Sequence, residues 1–337
     1  MTIDAAALHA DALVIDAHSD VFADVANRRA AGKTSYLSER HMPDWKAGGV
    51  NAVVTTLYTE PEFKPDRATR RALAQLGAAL NDIDETPDAF LCQSAEEVES
   101  IVADGSIAFI LAMEGAEPIQ LEIGSLRVFY ELGLRILGLT WNQRNLLAEG
   151  VGEDRAGGGI TERGREYIAE CNRLGILLDV SHLTVKSFWD LMESSEGPVI
   201  ASHSNALALC SHKRNLDDDQ IKALAERGGI IGINGVAGFI HDDPEQANLD
   251  GMLDHLDYIA SLVGVRHVAL GPDFVDYMRD DPASFASAGE IPYPDGFENI
   301  TRMPNVTAGL VSRGYSEEDI RGILGLNFLR VFGEVCG

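Results

Sequence analysis

The residues able to do chemistry sit in short clusters at the ends of apolar runs. Asp16-Ala17-His18-Ser19-Asp20 extends LVIDA, Met113-Glu114-Gly115 closes IAFILA, and Asp179-Val180-Ser181-His182 follows ILL. Ala201-Ser202-His203-Ser204 follows PVI, and Gly271-Pro272-Asp273 follows HVAL. A lone histidine after a strand is usually a hydrogen-bonded loop or core residue. Three His, two Asp and one Glu at five strand ends form a set, and imidazole with carboxylate suits zinc, manganese or iron. Glu114 is costly to bury without a cation or hydrogen-bonding partners, and its two oxygens can bridge two metals. We therefore expect His18, Asp20, Glu114, His182 and His203 to hold two divalent ions. Two cations roughly 3.5 to 4 Å apart would share a water, lower its pKa towards about 7 and polarise a carbonyl, which is hydrolytic chemistry. Asp273 would take a proton during attack and pass it to the leaving amine. Arg214, in CSHKRNL after the sixth strand, could clamp a carboxylate bidentately.

Such residues converge only if the strands carrying them lie side by side. The candidate strands are 13–17, 50–58, 107–114, 134–141, 176–181, 198–203, 229–235 and 267–273. Between them lie amphipathic stretches at 68–84, 161–175, 184–195, 217–228 and 252–264, each with a polar residue suited to capping near its start. Eight nearly continuous apolar strands alternating with helices predict a (β/α)8 TIM barrel of parallel strands with a C-terminal helical extension; an open doubly wound sheet is the runner-up. In such a barrel the C-terminal strand ends share one mouth. The Gly-rich 142–160 and the Pro-, Asp- and aromatic-rich 274–299 interrupt the rhythm and are expected as long loops over that mouth.

The chain has 337 residues, 45% hydrophobic and 24% charged, so a single domain over 1–337 with a large core is expected. A net charge of -26 removes the electrostatic drive for nucleic acid and for anionic membranes. The opening MTIDAAALHADALVIDAHSD is acidic where a signal peptide is basic, and no apolar run approaches about 20 residues, so a cytoplasmic protein is expected. Cys92, Cys171, Cys210 and Cys336 lack paired spacing and read as incidental or buried thiols. His9, His41, His212, His241, His255 and His267 fall outside the strand ends and read as surface or helix residues.

DAHSD, AMEG, GGGITERGREYIAECNRLGILLDVSHL, ASHSNA, HKRNL, GPDF and RGYSEEDIRGILGLNFLRVF occur in this order. Together they resemble the membrane (renal) dipeptidase family of the amidohydrolase superfamily, over nearly the whole chain. The resemblance implies a (β/α)8 barrel with a binuclear, usually zinc, centre that cleaves dipeptides, some with a D-residue at the C-terminal position. It implies His18, Asp20 and Glu114 on one metal and Glu114, His182 and His203 on the other. Arg214 would then bind the dipeptide carboxylate and Asp273 handle the proton. A homodimer is also consistent with it.

Two positions depart from the family pattern. Leu139-Thr140-Trp141-Asn142 stands where many members have a histidine that holds the scissile carbonyl oxygen, which leaves that task to the metal, Trp141, Asn142 or Arg144. Gly115-Ala116-Glu117 replaces a common Gly-Gly-His and is expected to alter only the rim. Two other readings keep the metal site: a hydrolase of N-acyl amino acids, lactams or other small amides, and an inactive scaffold, against which Asp273 argues.

Overall fold

The apolar runs do form strands, and the computed structural model describes residues 3–280 and 291–337. The strands are β1 Ile15–Ser19, β2 Ala52–Tyr58, β3 Ala89–Cys92, β4 Ile107–Glu114, β5 Leu134–Gly138, β6 Leu177–Asp179, β7 Val199–Ile200, β8 Ile231–Ile233 and β9 Val268–Leu270. All pair in parallel, in the order β1-β2-β4-β5-β6-β7, with β8-β9 as a separate ladder. Among the described residues a single bridge, Ala201↔Ile231, joins the two groups. The result is a curled parallel sheet with helices. The ladders do not complete the expected eight-stranded closure, since none joins β9 to β1 among the described residues.

All eight expected strands are present, and β3 is additional. It pairs with Ile107–Ile110 of β4, while β5 takes the same strand from Leu111 onward. The helices fall where capping chemistry puts them. Thr161, Thr184 and Asp217 each accept a backbone N–H at the start of Glu162–Leu174, Val185–Ser194 and Asp218–Glu226. Ala68–Asp84 and Leu249–Val263 match their expected stretches, and Met303–Ser312 and Asn327–Cys336 supply the C-terminal helices.

Strand alternation sorts the core into two faces. Val53, Phe109, Leu111 and Leu178 meet the surrounding helices, while Val54, Ile110, Ala112, Leu177 and Ile200 pack together with Phe328 and Phe332. The second face continues, two residues on, into Thr56, Glu114, Asp179 and Ser202, so the strand register carries an apolar core directly into a polar one. No helix among the described residues is long and apolar enough to cross a membrane. Part of the 274–299 loop, 281–290, lies outside the described residues.

Candidate metal centre

His18 is the penultimate residue of β1 and is buried. Asp20 lies beyond the strand with φ −88° and ψ 19°, so the extended geometry that would align the two stops short of it. Its carboxylate nevertheless reaches His18 Nε2, at 4.0 Å, and accepts a hydrogen bond from the Thr56 hydroxyl on β2. Glu114 Oε1 and Asp273 Oδ1 each stand 3.8 Å from the same nitrogen. His18 Nε2 is buried without a hydrogen-bond partner among the described residues.

His182 turns into the same cluster from a left-handed residue, φ +70°. Its Nδ1 lies 2.9 Å from Asn142 Oδ1, an acceptor, so Nδ1 carries the hydrogen and Nε2 presents a lone pair. That Nε2 is 2.8 Å from Glu114 Oε1 and 2.9 Å from His203 Nε2. Donor atoms of His18, Glu114 and His203, and of His18, Asp20 and Asp273, lie within 4.8 Å of one another. The structure thus brings together all five expected ligands and Asp273.

The electrostatics of this cluster call for a cation. Burial, reinforced by Arg214, lowers His18 to about 3, and burial holds His182 and His203 well below the usual imidazole range. All three are neutral near pH 7. Burial, with Asp273 nearby, raises Asp20 to about 7; burial raises Asp273 to about 6 against the pull of Arg214; and burial with Asp20 pushes Glu114 well up. The site holds many lone pairs and too few hydrogens, so protons or cations must supply the missing positive charge. Imidazole and carboxylate donors fit a divalent transition metal.

Asp273 also adopts a left-handed backbone, φ +60°. Asn234 Nδ2 donates to its Oδ2 at 3.2 Å, and Tyr293 donates to its carbonyl at 2.7 Å. Arg214 is buried beside the cluster, donating to the His203 carbonyl at 3.1 Å and the Ser204 hydroxyl at 3.5 Å. Its Nε is buried without a hydrogen-bond partner among the described residues.

Trp141 is half-buried, its ring 6.0 Å from that of His182 and 5.3 Å from that of Tyr58. Lys64 Nζ lies 5.4 Å from the Trp141 ring, 5.6 Å from Tyr58 and 3.1 Å from Glu117 Oε1. Glu117 is therefore no rim residue, contrary to expectation: its carboxylate folds back over Gly115, where a Cβ would meet Oε2 at 2.4 Å. Arg144 pairs with Glu149 instead of reaching the cluster. Asn142 faces His182.

Sequence reasoning missed Asn234, Lys64 and the packing role of Glu117. Asn234 follows β8 and carried a signal, being a polar residue at a strand end; Lys64 carried none. Four of the six remaining histidines are buried. His9 and His255 lie in α-helices, while His41 ends a π-helical turn and faces Asp24 at 3.0 Å, and His267 ends a 3-10 turn and faces the Gly229 carbonyl at 2.8 Å. All four cysteines are free.

Comparisons with known proteins agree with this architecture. A family model described as membrane dipeptidase, peptidase family M19, matches residues 3–336. The dipeptidase tcpJ of Claviceps purpurea is 32% identical over 246 residues, 73% of this chain; the chain spans about half, 55%, of that relative's length. A metallopeptidase from Rhodobacter sphaeroides, solved with a phosphinate mimic of the dipeptide L-Ala-D-Ala, is 29% identical with a TM-score of 0.85. The match covers 97% of this chain and 100% of that one. A crystal structure described as dipeptidase AC of family M19 is 30% identical with a TM-score of 0.85, covering 97% and 99% of the two chains.

Proposed function

The chain belongs to the membrane dipeptidase family, peptidase family M19, and from that premise we propose that it is a metal-dependent dipeptidase. The carrying observation is the convergence of His182 Nε2, His203 Nε2 and Glu114 Oε1, with 2.8 and 2.9 Å contacts and a hydrogen-bearing Nδ1 on His182. In this reading His18, Asp20 and Glu114 hold one divalent ion and Glu114, His182 and His203 the other, zinc first, with manganese and iron compatible. Bound cations supply Lewis acidity to the scissile carbonyl and make a water nucleophilic near neutral pH.

The chain's own groups do the rest. Arg214 Nε is a buried donor with capacity to spare, suited to the free carboxylate of a dipeptide, and its location beside His203 and Asp273 sets the scissile amide near the cluster. Asp273 Oδ1 faces the cluster while Asn234 holds Oδ2, so one oxygen is free to take a proton from the attacking water and return it to the leaving amine. Trp141 walls the side nearest His182, and Asn142 fixes His182 rather than being free for substrate. A dipeptide with a D-residue at its C-terminal position is among the expected substrates, and in this reading the two ladders, bridged at Ala201↔Ile231, are parts of one eight-stranded barrel.

A second reading is favoured by Trp141: with an indole backed by Lys64 where many family members have a histidine, N-acyl amino acids, lactams or other small amides are alternative substrates on the same centre. Turnover of L-L and L-D dipeptides by protein loaded with zinc, manganese or iron, with metal content measured, tests the proposal. Metal-replete protein inert to a broad dipeptide panel refutes it, and turnover of acyl amino acids alone selects the second reading.

A further inference from the structure

His203 Nδ1 lies 2.7 Å from Ser202 Oγ. A serine hydroxyl has one hydrogen, and the direction in which it is given decides what the imidazole can do. Ser202 Oγ donates it to Asp179 Oδ2. The Asp179 carboxylate is itself fixed, since Oδ1 accepts the Ser181 N–H at 2.9 Å and the Ser202 N–H at 3.0 Å. Ser181 Oγ in turn accepts the His203 N–H at 3.2 Å. Asp179, Ser181, Ser202 and His203 are all buried, so water does not compete for these bonds.

We infer that Asp179 and Ser202 are positioning residues that set the tautomer of His203. With its hydrogen committed to Asp179, Ser202 Oγ can only accept at His203 Nδ1. The hydrogen of the neutral imidazole is thereby held on Nδ1, and Nε2 is left as a lone pair aimed at Glu114 and His182. This inference rests on the reading of His203 as a metal ligand and adds how the ligand is prepared. A clasp between strand ends would need only the backbone contacts of Asp179 Oδ1; the hydroxyl relay through Oδ2 is redundant for that purpose and explicable for tautomer control. Partners of this kind typically change metal affinity by roughly 10- to 100-fold when removed.

The test uses the full chain and zinc alone as probe. Zinc titration calorimetry on Ser202→Ala is expected to show affinity lowered by roughly 10- to 100-fold, with Ser202→Thr restoring it. Asp179→Asn, which keeps one acceptor oxygen, is expected to fall between. In metal-free wild type carrying 15N-labelled histidine, the ring nitrogens of His203 are expected to report hydrogen on Nδ1, and Ser202→Ala a mixture of tautomers. Unchanged zinc affinity in Ser202→Ala, or hydrogen on Nε2 in the wild type, overturns the inference. His203→Ala separates the two levels: if it binds zinc like the wild type, the ligand assignment itself fails, whereas lost binding in His203→Ala beside normal binding in Ser202→Ala sinks only the relay.

Discussion

His182 and His203 present their Nε2 atoms to each other at 2.9 Å while each Nδ1 is engaged, by Asn142 and by Ser202. Two neutral imidazoles cannot both donate across that gap, and Glu114 Oε1 adds a third acceptor 2.8 Å from His182. The arrangement is one that the chain can relax only by drawing in positive charge.

Removing and restoring metal should therefore move stability as well as activity. Chelated protein is expected to be inactive and to unfold at lower temperature, with zinc restoring both. Saturation at 1,000 times Kd stabilises by about 4 kcal/mol, read as a rise in Tm. Equal Tm with and without zinc would contradict a site of this affinity.

Asp273→Asn keeps the shape and removes the proton acceptor. With metal content unchanged, kcat is expected to drop by about 10²- to 10⁴-fold, while Asn234→Ala, which frees Oδ2, should cost less. Near wild-type turnover in Asp273→Asn would assign the carboxylate to bracing the following loop.

Much of this centre was readable from the residue order because strands of parallel sheets are near-continuous apolar runs, and what interrupts such a run at its C-terminal end stands out. Glu114 after IAFILA is the clearest case. β3 was not readable: AFLC leaves Phe90 exposed and covers only half of β4, so neither continuous nor alternating burial marks it. The left-handed backbones of His182 and Asp273 were invisible too, since non-glycine residues adopt positive φ only where surrounding contacts impose it. Lys64 and Glu117 meet across 53 positions of sequence through loop geometry that no local pattern encodes.

Arg214→Met is expected to lower kcat/KM for dipeptides with a free carboxylate by about 10- to 100-fold, from roughly 1.5–3 kcal/mol for a hydrogen bond to a charged group. The effect should fall mainly on KM. Dipeptide amides, which lack that carboxylate, should be hydrolysed slowly and equally by both proteins. A uniform loss on both substrate types would place Arg214 in the support of His203 and Ser204 instead.

The Lys64–Glu117 pair is a stability prediction. Their side chains are 10% and 3% exposed, so Glu117→Gln leaves a charge with little solvent and an aromatic corner around it. The expected loss is about 3–5 kcal/mol in urea unfolding, with Lys64→Met combined with Glu117→Gln recovering part. Strict additivity in the double variant would mean that the pair is not coupled.

The carboxylates also dictate how metal binding must depend on pH. Asp20 is raised to about 7 and Asp273 to about 6, both chiefly by burial, and Glu114 is raised as well. A cation binds the ionised forms, so it must displace protons, and affinity for zinc is expected to climb as pH rises from 6 to beyond 7. The three histidines, held below their usual range, are already neutral there and do not compete. For the metal-free fold the sign is opposite. A carboxylate raised by folding contributes its full stability below its unfolded value of about 4 and loses it steadily as pH climbs to its folded value, so the Asp20 contribution to metal-free stability should fall away between about pH 4 and 7. Zinc-loaded protein, with cations in place of those protons, should not. Zinc titrations at pH 6.5 in two buffers of different ionisation enthalpy measure the proton release directly; binding without release would mean that the carboxylates are ionised before the metal arrives.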